Sequence, residues 1–213
     1  ELDIRRTKDG MLVLVHDDDV KRTTNGQGKV RDFSSADIRK LDAGSWFLPA
    51  FKNERVPALE EAFQLAKSQS DTLIALDIKY DDDTLAGEIV ALAKKHNILD
   101  KVMCIGLAID DPKLPARLRK EDAATPVGGD GKERKDLKEA LGEKNSDWIY
   151  VRFMPTADEV KTIHKMGKRV FLVGKLVAGN EPENWRRAAE PGVDALLTDY
   201  PLECRDVFRK IQR

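Results

Sequence analysis

The chain has 213 residues, a length at which α/β barrels and large sheets fold as one domain, and it is 41% hydrophobic and 35% charged. Its 37 basic and 38 acidic side chains nearly cancel, so no global basic field draws in nucleic acid and no acidic tail is present. No apolar run approaches the roughly 20 residues of a membrane-spanning helix, and Cys104 and Cys204 read as two buried thiols rather than a disulfide.

The first element is a hairpin. Glu1-Leu2-Asp3 opens a strand that turns at Lys8-Asp9-Gly10 and returns as Leu12 to His16. Asp-Gly between two β-rich runs is a strong turn signal because Gly accepts a positive φ. A two-residue loop sets Asp3 opposite His16, and a loop one residue longer shifts this by one place. Side chains repeat every second residue along a strand, so Glu1 and Asp3 share a face. Two carboxylates and an imidazole gather there, where a solvated hairpin would have no need of them.

Residues 17–57 read as a polar loop insertion containing one short helix, with Ser34 and Asp37 as its capping box and Gly44 as its stop. Helix and strand then alternate. Pro57 opens a helix with the apolar stripe Leu59, Ala62, Phe63, Ala66. Strands are predicted at 73–79, 102–107, 125–128, 148–153, 169–173 and 195–199. Helices are predicted at 85–96, 114–120, 136–143, 157–166, 185–189 and 202–211. Such alternation implies parallel strands with helices outside. With the Glu1 strand this gives seven parallel strands in a single domain over residues 1–213. A TIM (β/α)8 barrel needs eight, so the first strand and its helix are expected upstream of Glu1.

Barrel enzymes carry their chemistry at the C-terminal ends of strands. The polar residues there are Glu1, Asp3, Asp77, Lys79, Arg152, Lys175 and Asp199. The Glu1 and Asp77 strands are expected to be neighbours, about 4.8 Å apart. Three clustered carboxylates repel unless a cation compensates them, and hard oxygen ligands suit one divalent cation, Mg²⁺ or Ca²⁺. Lys79 lies on the face of Asp77, where it would meet an anion beside the metal. Lys175 is a further candidate for the barrel mouth, and Trp46 and Phe47 for an apolar lip around the substrate. His96 reads as structural and His164 as outer helix surface. The runs 17–19 and 81–83 read as solvated loop acid, with a second cation site the alternative for both and orientation of His16 or a place in the pocket the alternatives for Asp17.

The sequence resembles the glycerophosphodiester phosphodiesterase family over nearly its whole length. The likeness rests on the segments 1–10, 15–17, 22–28, 41–47, 55–61 and 192–201, which read ELDIRRTKDG, VHD, RTTNGQG, LDAGSWF, RVPALEE and GVDALLTDYP. It implies a TIM barrel and metal-dependent hydrolysis of a glycerophosphodiester to glycerol 3-phosphate and an alcohol. In family terms Glu1 and Asp3 match the metal-binding Glu-x-Asp, His16 the general acid/base, and Lys79 the phosphate-contacting lysine. Asp77 stands where the family usually has a metal-binding Glu. Gly106-Leu107 replaces the usual Ser-Phe, Val173-Gly174-Lys175-Leu176 replaces Trp-Thr-Val-Asn, and no His-Arg-Gly strand precedes Glu1. The alternative functions are a related barrel phospholipase D or lyase acting on lysophospholipid headgroups, and a non-catalytic barrel binding a phosphodiester or a protein.

Overall fold

The computed structural model of the protein describes residues 1–69, 72–111 and 113–211. Its strands form two four-stranded sheets, one in each of two compact units. The first unit comprises Glu1–Leu107 with Arg117–Thr125, and the second Ala108–Ala116 with Pro126–Arg213.

The first sheet runs β2-β1-β3-β4, with β1 (Leu2–Arg6), β2 (Leu12–Leu14), β3 (Ile74–Ile78) and β4 (Val102–Gly106). β1, β3 and β4 are parallel and β2 returns antiparallel, the excursion expected from the hairpin. The register differs from the two-residue-loop reading and takes the longer-loop form. Ile4 faces Leu14 and Arg6 faces Leu12, and Val15 N donates to the Asp3 carbonyl at 3.1 Å, so Asp3 meets Val15 and not His16. The cause is Thr7, whose hydroxyl donates to Asp9 at 2.6 Å and accepts from Met11 N at 2.9 Å. This closes a three-residue turn with Gly10 at φ +96°.

In the loop insertion, α1 (Ser35–Ile38) is capped as expected, Ser34 Oγ accepting from Asp37 N at 3.1 Å. It stops at Ile38 rather than at Gly44. Gly44 serves a close approach instead, since a Cβ there would lie 1.9 Å from the Phe51 carbonyl oxygen. Asp42 ties this turn together by accepting from the backbone N–H groups of Gly44, Ser45 and Asn53 at 2.9–3.0 Å. Val13, Val15, Val20, Val30, Ile38 and Val56 give the insertion its own small core.

α2 (Leu59–Ser68) buries Leu59, Phe63 and Ala66, as the stripe predicts. Pro57 lies outside it, because the Glu61 carboxylate accepts from Ala58 N at 2.7 Å and fixes the start two residues later, at Leu59. α3 (Leu85–Lys95) buries Leu85, Ala86, Ile89, Val90 and Ala93 at helical spacing. His96 ends it and meets Glu60 at 3.0 Å, the structural role expected of it. Cys104 is buried in β4, and desolvation pushes its thiol up to about 12.

Two helices follow β4, α4 (Leu107–Asp110) and α5 (Lys113–Glu121). The second sheet is all parallel in the order β5 (Gly128–Asp130), β6 (Trp148–Val151), β7 (Arg169–Leu172) and β8 (Ala195–Leu196). β5 begins three residues later than predicted. The Thr125 hydroxyl donates back to the Asp122 carbonyl at 2.8 Å, so Thr125 belongs to the turn that closes α5. β8 is shorter than 195–199 because Thr198 and Asp199 turn away to donate to the Ala178 carbonyl. The remaining helices are α6 (Leu137–Gly142), α7 (Ala157–Lys165), α8 (Lys175–Ala178), α9 (Pro182–Ala189) and α10 (Pro201–Ile211). α7 carries a complete reciprocal cap, with Thr156 N donating to Glu159 at 2.7 Å and Glu159 N to Thr156 Oγ1 at 3.3 Å. Ile149, Val151, Val160, Ile163, Val170, Leu172, Val177 and Trp185 form this unit's core. Among the described residues, no helix is long and apolar enough to cross a membrane.

Candidate active site

Parallel pairing of β1 with β3 sets Asp3 beside Asp77. The parallel part of β1 ends at Ile4, beyond which the strand turns its pairing to β2, so Asp3 stands where that pairing stops. Glu1, one alternation earlier, brings a third carboxylate, and one oxygen from each lies within 4.8 Å of the others. This is the cluster expected from the strand alternation, and it lies wholly in the first unit.

Lys79 continues the same face and reaches across it. Its Nζ lies 2.9 Å from Asp3 Oδ1 and 2.8 Å from Asp77 Oδ2. The three side chains are 23%, 16% and 19% exposed, so the charges sit in a half-dry setting where each is felt strongly. Desolvation acts to lower the Lys79 ammonium, but bonds to Asp77 and Asp3 outweigh it and hold the group above its ordinary value. The Glu1 carboxyl is raised, first by desolvation and next by the negative charge of Asp3.

Asp77 is packed in a way the sequence reading missed. Its Oδ1 is buried without a hydrogen-bond partner, and a Cβ added at Gly106 would lie 2.1 Å from that oxygen. Gly106 closes β4 at φ +71°, a conformation L side chains rarely adopt. Its lack of a side chain is what lets the Asp77 carboxylate sit there.

His16 follows β2 and is 61% exposed. Its Nδ1 meets Asp17 Oδ1 at 2.9 Å, and Asp17 in turn accepts from Arg22 Nε at 2.6 Å. Arg22 and His16 together hold the Asp17 carboxyl well below the usual range. Asp17 is thus the partner that orients His16 and not a solvated loop acid. Arg5, two residues after Asp3, grips the His16 carbonyl from Nε and Nη2 at 3.2 and 2.9 Å. The strand alternation that groups Glu1 with Asp3 also points to Arg5, a signal present in the sequence. Arg22 is reached only through the tertiary course of the insertion.

Trp46 and Phe47 are exposed and contact each other at 5.8 Å between ring centroids, with Phe51 5.9 Å from Phe47. Trp46 Nε1 donates to the Ala43 carbonyl at 2.8 Å, which fixes its ring on the insertion. Lys175 begins α8 in the second unit, beside Arg152 and Tyr150. His164 lies on the outer surface of α7, as expected, with its Nε2 2.8 Å from Asp194 Oδ2.

The sequence profile of the glycerophosphoryl diester phosphodiesterase family matches residues 1–203. The chain belongs to that family. A glycerophosphodiester phosphodiesterase of Bacillus subtilis is 39% identical over 234 residues, covering 100% of this chain and 76% of the relative. One from Caldanaerobacter subterraneus is 42% identical over 106 residues, covering 48% of this chain and 43% of the relative. The chain spans 31% and 43% of the length of two of the curated relatives it matches. Among solved structures, a glycerophosphodiester phosphodiesterase from Agrobacterium tumefaciens superposes with a TM-score of 0.81 at 23% identity, over 98% of this chain and 85% of its own. An Oleispira antarctica phosphodiesterase solved in complex with the product sn-glycerol-3-phosphate gives 0.76 at 21% identity, over 98% and 83%. The fold is therefore the TIM barrel of the family, as the alternation of strands and helices predicts.

Proposed function

We propose that the protein hydrolyses glycerophosphodiesters to glycerol 3-phosphate and an alcohol, using one divalent cation and His16 as acid/base. The observation that carries this reading is the convergence of Glu1, Asp3, Asp77 and Lys79 on one strand-end face in a chain of this family. The donor set fits a hard cation: three carboxylates and no thiolate, with a buried Asp77 oxygen still lacking a partner. Glu1, Asp3 and Asp77 would hold it. When bound, Mg²⁺ or Ca²⁺ would polarise the phosphoryl oxygens and offset the charge that grows on them.

The chain's own groups supply the rest. Lys79 donates to a phosphoryl oxygen and stabilises developing negative charge. His16 presents Nε2 to the substrate because Nδ1 is taken by Asp17, and Arg22 keeps Asp17 ionised and in place. Nε2 takes the proton from the substrate's glycerol hydroxyl as that oxygen bonds to phosphorus and gives it to the alcohol as its P–O bond breaks, leaving a cyclic phosphate. It then takes a proton from the water that opens this ring and returns it to the freed glycerol oxygen, giving glycerol 3-phosphate. Arg5 fixes the backbone from which His16 projects. Glycerol 3-phosphate in the Oleispira structure indicates the product class.

Release of glycerol 3-phosphate from glycerophosphocholine, and its loss in EDTA, is the test. His16→Ala is expected to lower kcat by about 10²–10⁴-fold with cation affinity unchanged by calorimetry. A cyclic phosphate as the end product from a lysophospholipid, with glycerophosphocholine untouched, would show a lyase instead. Less than tenfold loss in the variant would remove His16 from proton transfer.

A further inference from the structure

The C-terminal ends of β6 and β7 carry a second feature that the carboxylate site does not use. A cavity of about 500 Å³ opens there in the second unit, with Arg152, Lys175 and Tyr150 on its walls and Leu197 contributing apolar surface. Arg152 is the first residue after β6, and Lys175 comes three residues after β7. Two cations therefore leave adjacent parallel strands at the edge where this fold gathers its ligand-binding groups.

These cations are placed differently from several arginines of the molecule. Arg6, Arg22, Arg39 and Arg134 each bond a carboxylate. Arg152 instead stacks over the Tyr150 ring, 5.5 Å from its centroid, with Nη2 3.3 Å from the phenol oxygen. That ring is itself held edge-on by Phe171 at 5.8 Å. Asp110 and Asp130 lie close enough for their charge to be felt at Arg152, yet both are engaged elsewhere, bonded by the Lys132 side chain and backbone respectively. Among the described residues, neither Arg152 nor Lys175 forms an ion pair with a carboxylate. A guanidinium ordered by an aromatic face and lacking its own anion keeps its hydrogen-bonding fork for a ligand.

The backbone supports the same placement. Gly174 has φ +97°, in the left-handed region, and a Cβ there would make only ordinary contacts with Arg152 at 3.9–4.0 Å. The glycine is thus required by the turn and not by crowding. That turn is what starts α8 at Lys175 on the cavity wall.

We propose that Arg152 and Lys175 form an anion-recognition site, with the Tyr150 hydroxyl beside them, for a phosphomonoester or carboxylate group. Two cations and a phenol match an anion with at least two acceptor oxygens, and the guanidinium fork suits planar or tetrahedral oxyanions alike. The source is either the phosphate of a glycerol 3-phosphate-like product or an acidic group on the alcohol portion of a diester. Both sources rest on the function proposed above, whereas anion binding by Arg152 and Lys175 stands without it.

Calorimetry with inorganic phosphate in EDTA needs neither turnover nor a bound cation. The parent, Arg152→Gln, Lys175→Gln and Lys79→Met are compared, with circular dichroism to confirm folding. Phosphate affinity is expected to fall at least tenfold in the first two variants and to persist in the third, and Arg152→Lys is expected to recover part of the loss. In a second arm, KM is compared for glycerophosphoserine, whose alcohol carries a carboxylate, and glycerophosphocholine, whose alcohol does not. A KM rise confined to glycerophosphoserine identifies the alcohol's acid as the ligand. Weakened glycerol 3-phosphate binding without a KM change identifies the product phosphate. Less than tenfold change in both arms for both glutamine variants overturns the proposal, whereas absent turnover with intact phosphate binding counts against the phosphodiesterase reading alone.

Discussion

Replacing Lys79 by Met tests the electrostatics of the carboxylate cluster directly. The ammonium lies 2.8–2.9 Å from two carboxylates on side chains about one-fifth exposed. At an effective dielectric near 20, each contact is worth about 5–6 kcal/mol before desolvation, and most of that is offset by bringing the charges out of water. Breaking a fully buried pair costs about 3–5 kcal/mol and an exposed one under about 1 kcal/mol, so this partly buried pair of contacts should fall near 2–3 kcal/mol. For a chain of this size that lowers Tm by about 4–12 °C in EDTA. The second half of the expectation has the opposite sign. A divalent cation held by Asp3 and Asp77 would compete with the Lys79 ammonium for the same oxygens, so Lys79→Met should bind Mg²⁺ or Ca²⁺ more tightly, by about tenfold or more, and regain stability as the ion is added. The pH dependence follows from the raised ammonium: its stabilisation is complete below its unfolded value of about 10.4 and is lost as pH rises through the higher folded value. The variant should lack that alkaline loss. Calorimetric titration and thermal melts with and without cation supply the readouts. A variant as stable as the parent in EDTA, or one that binds the cation more weakly, refutes the competition.

The parts of this molecule that repeat were legible in its sequence, and the parts that close on distant partners were not. β3, β4, β6 and β7 are four to five residues long and largely buried, so their apolar runs stand out. β5 and β8 have three and two residues, and their neighbours' hydrogen bonds decide their ends. Thr125 illustrates this, since only the position of the Asp122 carbonyl shows that it closes a helix. Gly44 looks like a helix stop in one dimension, yet its purpose is the approach of Phe51, seven residues on. In the candidate site, Glu1, Asp3, Asp77 and Lys79 follow from alternation and from one adjacency of parallel strands. Gly106 and Arg22 do not, because the first answers to the shape of a carboxylate on another strand and the second to the path of the insertion.

Three further outcomes are expected. Trp185, fully buried with Nε1 donating to the Val177 carbonyl at 3.0 Å, should cost about 3–5 kcal/mol as Trp185→Ala and about 1–2 kcal/mol as Trp185→Phe, read by urea unfolding. Asp9 is held down to about 2, chiefly by the Thr7 hydroxyl and then by Ser35; its contribution is present above pH ~4 and fades as pH falls through 2, so Asp9→Asn should flatten the acid limb of the stability curve there. Gly106→Ala places a Cβ 2.1 Å from Asp77 Oδ1 and 2.8–2.9 Å from the Ile78 backbone, so it should both destabilise the strand end and displace the carboxylate. A double-mutant cycle with Asp77→Ala separates these effects. If Gly106 acts on the proposed cation through Asp77, Gly106→Ala weakens calcium binding in the parent and adds nothing once Asp77 is gone, while the loss of stability persists in both backgrounds. Equal weakening in the two backgrounds would mean that the glycine shapes the strand and not the ligand.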